Sequence, residues 1–327
     1  MAIKAKRSFL KNVLMIMDPL AKLDLRWDNS LALARELTLG GTQVWTADST
    51  DVRLEGRRVL ARARPLKAMR KKTFAPGPLS QRDLSFFELV LLRKEPPFDL
   101  NYLYLTFILE KACAQVPVAN HPRGVRNASE KLWGHLHTAK VPQTLISSSP
   151  QDILDFYRRL KGRMVLKALN EKGGRGIVLV PRHAANVRRL IAKATDGGRR
   201  TIACQRFLKA SGGVDKRIVL LDGKLLCAFE KRPAAREFRS NLGLGGSAAR
   251  TRLSGKEKKL VREIAPQLRR EGIYLAGLDV MDGKLLEVNV TSPAGMTDAE
   301  ALYPGGRFIA AWAAWLARFA AARQRAR

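Results

Sequence analysis

The sequence predicts an α/β half with a largely parallel sheet, followed by an α+β half built on antiparallel hairpins. In the first half, short apolar runs alternate with helical segments up to about residue 125, a pattern typical of strands joined by helices. In the second half, apolar runs are paired across Asp-Gly, a dipeptide that favours tight hairpin turns. We therefore expect domains at residues 1–125 and 126–327.

The elements of the first half follow from apolar periodicity and from residues that start or stop helices. Residues 12–17 are an unbroken apolar run, which indicates a buried strand. Residues 31–39 indicate a helix capped by Asn29 or Ser30 and ended by Gly40-Gly41. Further expected elements are strands at 43–47, 89–92 and 116–120, a helix at 101–115, and a hairpin over 52–66 that turns at Glu55-Gly56.

In the second half, two strands at 164–169 and 177–180 flank a glycine-rich turn, which predicts a hairpin and not a helical crossover. Another strand is expected at 201–207, and two further hairpins turn at Asp222-Gly223 and Asp282-Gly283. The Ala-rich C-terminal segment is helical in pattern. Its aromatic side chains recur at helical spacing, which predicts core packing and not a ligand platform; they are Trp312, Trp315 and Phe319.

The composition is that of a globular protein, with 46% hydrophobic and 27% charged residues in a chain of 327. No apolar run reaches the roughly 20 residues that span a bilayer, so no membrane association is expected. Cys113, Cys204 and Cys227 lie in apolar patterns without metal-ligand spacing. They predict reduced packing residues and a cytoplasmic protein.

The charge balance is strongly basic, with 60 Lys and Arg against 29 Asp and Glu, a net charge of +31. Such a field attracts anions. Nucleic acid is one candidate partner, and a nucleoside triphosphate or small anionic substrate is the other; charge alone does not choose between them. The basic runs Arg57-Arg58, Arg70-Lys71-Lys72 and Arg199-Arg200 keep the first alternative open.

The most informative segment is LDVMDGKLLEVNVTSP, at residues 278–293. Glu287 and Asn289 share one face of a strand, and hard oxygen ligands suit Mg²⁺ carrying nucleotide phosphates. A plain two-residue turn would place Asp279 opposite Leu286. We predict a one-residue register shift that brings Asp279 opposite Glu287 instead; the alternative is a solvated edge hairpin.

A second segment, LKALNEKGGRGIVLV, combines a lysine with a glycine-rich turn. The glycines allow backbone N–H groups to approach a phosphate closely, and Lys167 on the preceding strand could reach it as a point charge. A simple hairpin turn is the alternative. Lys131, in SEKLW, is a candidate cation of the same kind, with a solvated helix face as its alternative.

The segment AREFRSNLGLGGSA is too long for a simple turn, which indicates a functional lid or a disordered loop. Arg239 and Asn241 within it are candidates for carboxylate recognition, and Arg217 opens a buried strand. No Gly-x-Ser-x-Gly or Cys/His nucleophile pattern occurs in the sequence, so a covalent mechanism has no support.

In the first half, polar residues follow predicted strands, where ligands of open α/β sheets bind. Arg93 could clamp a carboxylate with two parallel hydrogen bonds. Asp28 and Ser30 are further substrate candidates, with helix capping as the alternative.

Taken in order, these segments resemble the bacterial glutathione synthetase family, which has the ATP-grasp fold. The resemblance covers residues 15 to about 305, and RKEPPFD and LEVNVTSP are its most specific parts. The other matching runs are MDPLAKLDLRWDNS, ASEKLW, LKALNEKGGRGI, VDKRIVLLDG and FRSNLGLGG. The resemblance implies an N-terminal pre-ATP-grasp domain at 1–125 and an ATP-grasp domain at 126–327, with a central lid subdomain at 126–208 and a catalytic subdomain at 209–327.

The resemblance also implies the reaction and the residues that perform it. ATP would phosphorylate the carboxylate of γ-glutamylcysteine, and glycine would then displace phosphate to give glutathione. The implied ATP-binding residues are Lys131, Lys167, Gly173, Gly174, Gln205, Phe207, Leu208 and Asp215. The implied Mg²⁺ ligands (Mn²⁺ is an alternative) are Asp279, Glu287 and Asn289. The implied catalytic groups are Arg217, Arg239 and Asn241, and the substrate candidates are Asp28, Ser30, Arg93, Thr291 and Ser292.

Two alternatives remain. The sequence departs from the family pattern at Lys231, where an arginine is expected, at Ser247 and at residues 294–298. A paralogous ligase with another acid or amine is therefore the first alternative, and a nucleic-acid-binding protein on a degenerate scaffold is the second. The family implies a dimer or tetramer, although no interface signature is visible in the sequence.

Overall fold

Three sheets organise the residues that the computed structural model describes, which are 10–23, 28–68, 74–171, 173–208, 215–235 and 237–326. We call them the N-terminal, middle and C-terminal sheets. The predicted fold class is confirmed, because parallel strands occur in the first sheet and the other two are antiparallel. The basic run Arg70-Lys71-Lys72 lies outside the described residues.

The N-terminal sheet is mixed. Its strands in chain order are β1 (Asn12–Ile16), β2 (Gln43–Ala47), β3 (Val52–Glu55), β4 (Arg58–Ala68), β5 (Phe74–Pro76), β6 (Ser80–Asp83), β7 (Leu89–Leu92) and β8 (Val118–Ala119). β2, β1, β7 and β8 are adjacent and parallel, whereas β4 pairs antiparallel with β2 and carries β3, β5 and β6. The helices of this half are α1 (Asn29–Leu39), α2 (Leu100–Ala112) and α3 (Pro122–Asn127).

Two boundaries in this half differ from expectation. The hairpin turns at Gly56-Arg57, one residue later than predicted, because Glu55 itself pairs with Arg58 and Gly56 supplies the positive φ of +57°. Helix α2 ends at Ala112, where the carbonyl accepts from the backbone N–H of Val116 in a closing turn.

The cap of α1 also differs from expectation. Asp28 caps the helix, with its Oδ1 accepting from the Leu31 backbone N–H at 2.8 Å. Asn29, one of the two expected caps, instead uses its Oδ1 to accept from the backbone N–H of Met296, far away in the chain. The alternative reading of Asp28 as a capping residue is therefore confirmed.

The middle sheet follows the short helix α4 (Trp133–His137) and has a core of its own. Its strands are β9 (Thr144–Ser147), β10 (Met164–Ala168), β11 (Ile177–Val180) and β12 (Ile202–Arg206), in the spatial order β11-β10-β12-β9. Helices α5 (Pro150–Leu160) and α6 (Val187–Thr195) pack on it, with Phe156 and Ile191 buried. The predicted hairpin around the glycine-rich turn is confirmed as β10 and β11.

The C-terminal sheet contains both Asp-Gly hairpins. Its strands are β13 (Asp215–Leu221), β14 (Lys224–Arg232), β15 (Ser247–Arg250), β16 (Leu275–Met281) and β17 (Lys284–Asn289), in the order β15-β14-β13-β16-β17. The remaining helices are α7 (Gly255–Arg270), α8 (Met296–Leu302) and α9 (Phe308–Arg325). Both turns have positive φ at Asp and Gly, with values of +50° and +75° at Asp222 and Gly223, as a type I′ hairpin requires.

Helix α9 returns to the N-terminal half and packs beside α1. Trp312 is 2% exposed in a core that also contains side chains of β1, β7 and β13. Trp315 and Phe319 stack on each other at 5.0 Å and contact Tyr274, so the predicted packing role of the aromatic stripe is confirmed. Within the described ranges, no helix is long and apolar enough to cross a membrane.

Asn120 joins the N-terminal and C-terminal sheets through four hydrogen bonds. Its Nδ2 donates to the carbonyls of Leu275 (2.7 Å) and Val290 (3.0 Å). Its Oδ1 accepts from the backbone N–H groups of Tyr274 and Leu275. Because Asn120 is only 7% exposed, water has little access to these hydrogen-bonding groups.

We expect Asn120→Ala to lower the free energy of unfolding by about 3 kcal/mol, because it leaves buried backbone donors and acceptors unpaired. Urea unfolding followed by circular dichroism measures the change. Asn186→Ala is the matched control, since Asn186 is exposed and its side chain makes no capping bond. A change at Asn120 no larger than at Asn186 would contradict the bridging role.

Candidate active site

A cavity of about 520 Å³ lies between the middle and C-terminal sheets. β10 and β12 contribute Lys167 and Gln205 to it, while β13 and β17 contribute Arg217 and Glu287. The structure brings most of the candidate residues together here. The other candidates that line the cavity are Lys131, Gly173, Gly174, Phe207, Leu208, Asp215, Arg239, Asn241, Asp279, Asn289, Thr291 and Ser292.

The hairpin of β16 and β17 has the predicted register shift. The irregularity falls between Asp279 and Val280, so Asp279 pairs with Glu287 and both side chains reach the cavity. Asn289 lies opposite Gly277 and its Nδ2 donates to the Gly277 carbonyl at 3.0 Å, which orients the side-chain amide. In the described part of the chain, no group of three or more His, Cys, Asp or Glu side chains could hold a metal ion. The oxygen-bearing side chains gathered on this hairpin are two carboxylates, of Asp279 and Glu287, and one amide, of Asn289.

Asp279 is buried between two cations. Arg217 donates to it from Nε (2.7 Å) and Nη2 (3.2 Å), and the Lys231 Nζ lies 3.0 Å from Oδ1. Burial by itself would raise the pKa of Asp279, but the two cations outweigh it and lower that pKa to about 2. The carboxylate is therefore ionised throughout the neutral range.

Lys231 also binds a second acid. Its Nζ lies 2.9 Å from Asp215 Oδ2, which accepts from the Ser240 hydroxyl as well. Burial would lower the pKa of Lys231, but Asp279 and Asp215 together raise it. The other oxygen of Asp215, Oδ1, is buried and has no hydrogen-bond partner among the described residues. Asp215 as a whole lines the cavity.

Two lysines point into the cavity from its other side. The Lys131 Nζ donates to the Glu171 carbonyl and lies 3.4 Å from Glu287 Oε1. The Lys167 Nζ donates to Gln205 Oε1 at 2.7 Å. Burial lowers the pKa of Lys167, and the Glu287 carboxylate opposes that shift. An additional anion would therefore bind favourably beside both ammonium groups.

The glycine-rich turn adopts left-handed backbone conformations, with φ of +63° at Gly173 and +80° at Gly174. A Cβ on Gly174 would lie 3.1 Å from both the Arg239 Cδ and the Asn241 Oδ1. The Arg239 Nη1 donates to the Gly174 carbonyl at 2.9 Å, and its Nη2 lies 2.7 Å from Glu237 Oε2. The predicted lid segment therefore packs directly over the glycine turn.

The segment after β12 forms another wall of the cavity. Gln205 donates from Nε2 to the Thr144 hydroxyl at 3.0 Å, which fixes its amide orientation. The Phe207 ring lies 4.5 Å from the Arg163 guanidinium and makes an edge contact with Phe238. The aromatic ring of Phe207 and the fixed amide of Gln205 together form a wall against which the planar base of a nucleotide could pack.

Glu130 also lines the cavity, although no sequence pattern singled it out. Its Oε1 accepts from the Val290 N–H (2.9 Å), the Thr291 N–H (3.2 Å) and the Thr291 hydroxyl (2.9 Å). Burial raises the pKa of Glu130, and the nearby Glu287 carboxylate raises it further. Glu130 thus positions the end of β17. Its one sequence signal is its place beside Lys131.

Asp28, Ser30 and Arg93 do not reach this cavity. Arg93 is 4% exposed and uses its donors on the Ser30 hydroxyl and the Pro293 carbonyl, both at 3.0 Å. Its guanidinium also lies over the Trp312 ring. The expected two-bond clamp on a substrate carboxylate is not formed, because these donors already have internal partners.

Comparison with known proteins decides the family. The profile described as "Prokaryotic glutathione synthetase, ATP-grasp domain" matches residues 130–304, and the one described as "Prokaryotic glutathione synthetase, N-terminal domain" matches residues 12–126. The chain belongs to the prokaryotic glutathione synthetase family. Among the relatives of this family, the glutathione synthetase of Thermosynechococcus vestitus is 33% identical over 315 residues, 92% of this chain and 99% of its own.

Other relatives and solved structures agree. The glutathione synthetase of Rhodopseudomonas palustris is 36% identical over 297 residues, 90% of this chain and 94% of its own. A D-cycloserine synthetase has a TM-score of 0.64 at 16% identity, covering 94% of this chain and 99% of its own. The D-alanyl-alanine synthetase A of Vibrio cholerae has a TM-score of 0.61 at 15% identity, covering 96% and 99%. These structural likenesses show the ATP-grasp fold of this family member.

The lowered pKa of Asp279 predicts how the free energy of unfolding depends on pH. Its folded value lies below its ordinary value of 3.8, so its stabilising contribution is complete above about pH 4 and is lost as the pH falls toward 2. We expect the difference in unfolding free energy between the wild type and Asp279→Asn to narrow by about 1 kcal/mol from pH 6 to pH 3. Urea unfolding at both pH values measures it. A constant difference would contradict the ion pairs as its origin.

Proposed function

We propose that this protein is a glutathione synthetase, an ATP-dependent ligase that joins the carboxylate of γ-glutamylcysteine to the amine of glycine. The observation that carries the proposal is a single cavity with lysines and a glycine turn on one side and two acids with an amide on the other. Membership of the prokaryotic glutathione synthetase family supports the same reaction.

The nucleotide would bind between the sheets. Lys131 and Lys167 supply positive charge to its phosphates, and the N–H groups at Gly173 and Gly174 supply donors at close range. The base would lie along residues 205–208, where Phe207 offers an aromatic face. Asp215, which also lines this cavity, would lie beside the nucleotide.

Asp279, Glu287 and Asn289 would hold Mg²⁺, with Mn²⁺ as the alternative. The donor set fits a hard divalent cation, because it offers oxygen atoms only and Asp279 stays ionised. When bound, the ion would neutralise phosphate charge. The protein contributes the bulged hairpin that aligns the two carboxylates.

In the reaction, a carboxylate oxygen of γ-glutamylcysteine attacks the γ-phosphorus of ATP, ADP leaves, and an acylphosphate forms. The amine of glycine then attacks the acyl carbon, loses a proton, and displaces inorganic phosphate. Arg217 lines the cavity, and its positive charge would stabilise the developing negative charge. Arg239 and Asn241, in the lid segment over the glycine turn, keep water from the acylphosphate.

We expect Glu287→Gln to lower ADP formation at least about a hundredfold while leaving the thermal unfolding midpoint nearly unchanged, since it removes a charge from the metal ligands. A coupled assay for ADP measures this. Asp282→Asn, in the exposed turn of the same hairpin, is the control and retains activity. Full activity of Glu287→Gln would remove Glu287 from the metal role.

We expect Lys167→Ala to raise the KM for ATP about tenfold or more, because a buried cation facing phosphate is lost. Steady-state kinetics at saturating acid and amine measure the effect. Lys224→Ala, at the exposed start of β14, is the control. An unchanged KM for ATP would exclude Lys167 from phosphate binding.

The reaction itself is tested by ADP release with γ-glutamylcysteine, with and without glycine and with a panel of other amines. Glutathione synthesis that requires both substrates supports the proposal. Rapid turnover with another acid or amine, and none with glycine, would instead identify a paralogous ligase.

A further inference from the structure

The middle sheet and its two helices are an unusually basic part of the chain, and the proposed ligase reaction uses little of that charge. Residues 144–206 contain 14 Lys and Arg against 4 Asp and Glu, whereas the whole chain has 60 against 29. Ten of the 14 are arginines, whose planar guanidinium binds phosphate through two parallel hydrogen bonds. Of those that the structure describes, Lys167, Arg175 and Arg206 line the active-site cavity.

The two faces of the middle sheet have different surroundings. Lys167 on β10 and Gln205 on β12 line the active-site cavity, while their neighbours Leu166 and Cys204 lie in the core beneath α5 and α6. Because successive side chains on a strand point to opposite faces, α5 and α6 cover the face that is turned away from the cavity. A ligand on the outer sides of these helices would therefore not compete with a nucleotide in the cavity.

Helices α5 and α6 carry exposed cations and lie against each other. The Tyr157 hydroxyl donates to the Pro181 carbonyl (2.8 Å) and accepts from the Ala184 N–H (2.9 Å), so the end of α5 is joined to the segment that leads into α6. We call the exposed, unpaired cations of α5, its C-cap and α6 the outer basic surface. They are Arg159, Lys161, Arg188, Arg189 and Lys193.

The charge of the outer basic surface is not compensated by ion pairs. Within the described residues, no acid forms an ion pair with any of its five cations. The acids Asp155 and Asp196 pair instead with Arg158 and Arg199, which do not belong to this surface. A polyanion would therefore be attracted to it.

The outer basic surface has charge but no apolar anchor. The apolar face of α6 is already used, since Ile191 is buried and Val187 and Leu190 pack against the same core. Between Leu136 and Leu225, no large hydrophobic side chain of the described residues is exposed. Such a surface lacks the apolar residues that enter a bilayer and the aromatic rings that stack on unpaired bases. It fits the regular array of phosphates along a nucleic acid duplex.

We propose that the outer basic surface binds the phosphate backbone of double-stranded nucleic acid without reading its base sequence. The inference goes beyond the ligase function and does not depend on it, because the surface and the cavity lie on opposite sides of the middle sheet. Binding of this kind releases cations that are condensed on the duplex, so its affinity falls as the salt concentration rises. Each cation that contacts a phosphate adds about 0.9 to the magnitude of the slope of log affinity against log salt concentration.

The test measures binding of the full chain to a mixed-sequence DNA duplex by fluorescence anisotropy at several salt concentrations. The variant Arg188→Gln/Arg189→Gln/Lys193→Gln removes three charges from α6. We expect it to raise the Kd at about 50 mM salt by about tenfold or more and to reduce the magnitude of the salt slope by about 2–3. ADP release should stay unchanged, since none of the three residues lines the cavity.

Lys258→Gln/Lys259→Gln/Arg262→Gln is the matched control, because it removes the same charge from exposed positions on α7. We expect it to raise the Kd by less than about threefold. Equal losses of affinity in the two triple variants would overturn the inference, since they would show attraction by net charge alone. Failure of the wild type to bind the duplex would overturn it as well.

Two competition experiments identify other binding modes. Displacement of the duplex by ATP at constant ionic strength would place the binding in the active-site cavity and overturn the inference. Tighter binding to vesicles of phosphatidylserine and phosphatidylcholine than to the duplex, lost in the same α6 variant, would identify a membrane surface instead. Absence of ADP release by the wild type would contradict the proposed function, whereas duplex binding that is lost only in the α6 variant would still support this inference.

Discussion

The site depends on four buried charges that balance one another. Asp215 and Arg217 are two residues apart on β13 and share one face, while Lys231 and Asp279 come from the strands on either side. Lys231 pairs with both acids, and Arg217 pairs with Asp279. Removing one member would leave a buried charge uncompensated, a cost of about 3–5 kcal/mol. The central strand of the C-terminal sheet is therefore both a packing element and the electrostatic frame of the cavity.

Much of the fold was predictable because its signals are local. Hairpins at Asp-Gly, apolar runs and a helical aromatic stripe each act within a few residues, and the structure confirms them. The register shift at Asp279 was also predictable, because only that shift places its carboxylate beside Glu287. Seven of the candidate residues that line the cavity lie on strands β10, β12, β13, β16 and β17, where the strand pairing sets the direction of their side chains, and the others lie in loops.

The features of the site that could not be predicted depend on contacts between residues that are far apart in the chain. Glu130 binds the end of β17, about 160 positions along the chain, so nothing near it distinguishes it from a surface acid. Arg93 is used internally because Ser30 and the Pro293 carbonyl surround it in three dimensions. Lys231 departs from the family's sequence pattern. Its two acid partners, Asp215 and Asp279, could not be predicted because they come near it only through the position of β13 between β14 and β16.

The continuous core under α9 has a mechanical consequence. Because the N-terminal and C-terminal sheets share that core and the four bonds of Asn120, separating them would expose apolar surface and leave buried backbone groups unpaired. The middle sheet has a core of its own, and polar contacts such as that of Arg239 with the Gly174 carbonyl hold it against the lid segment of the C-terminal half.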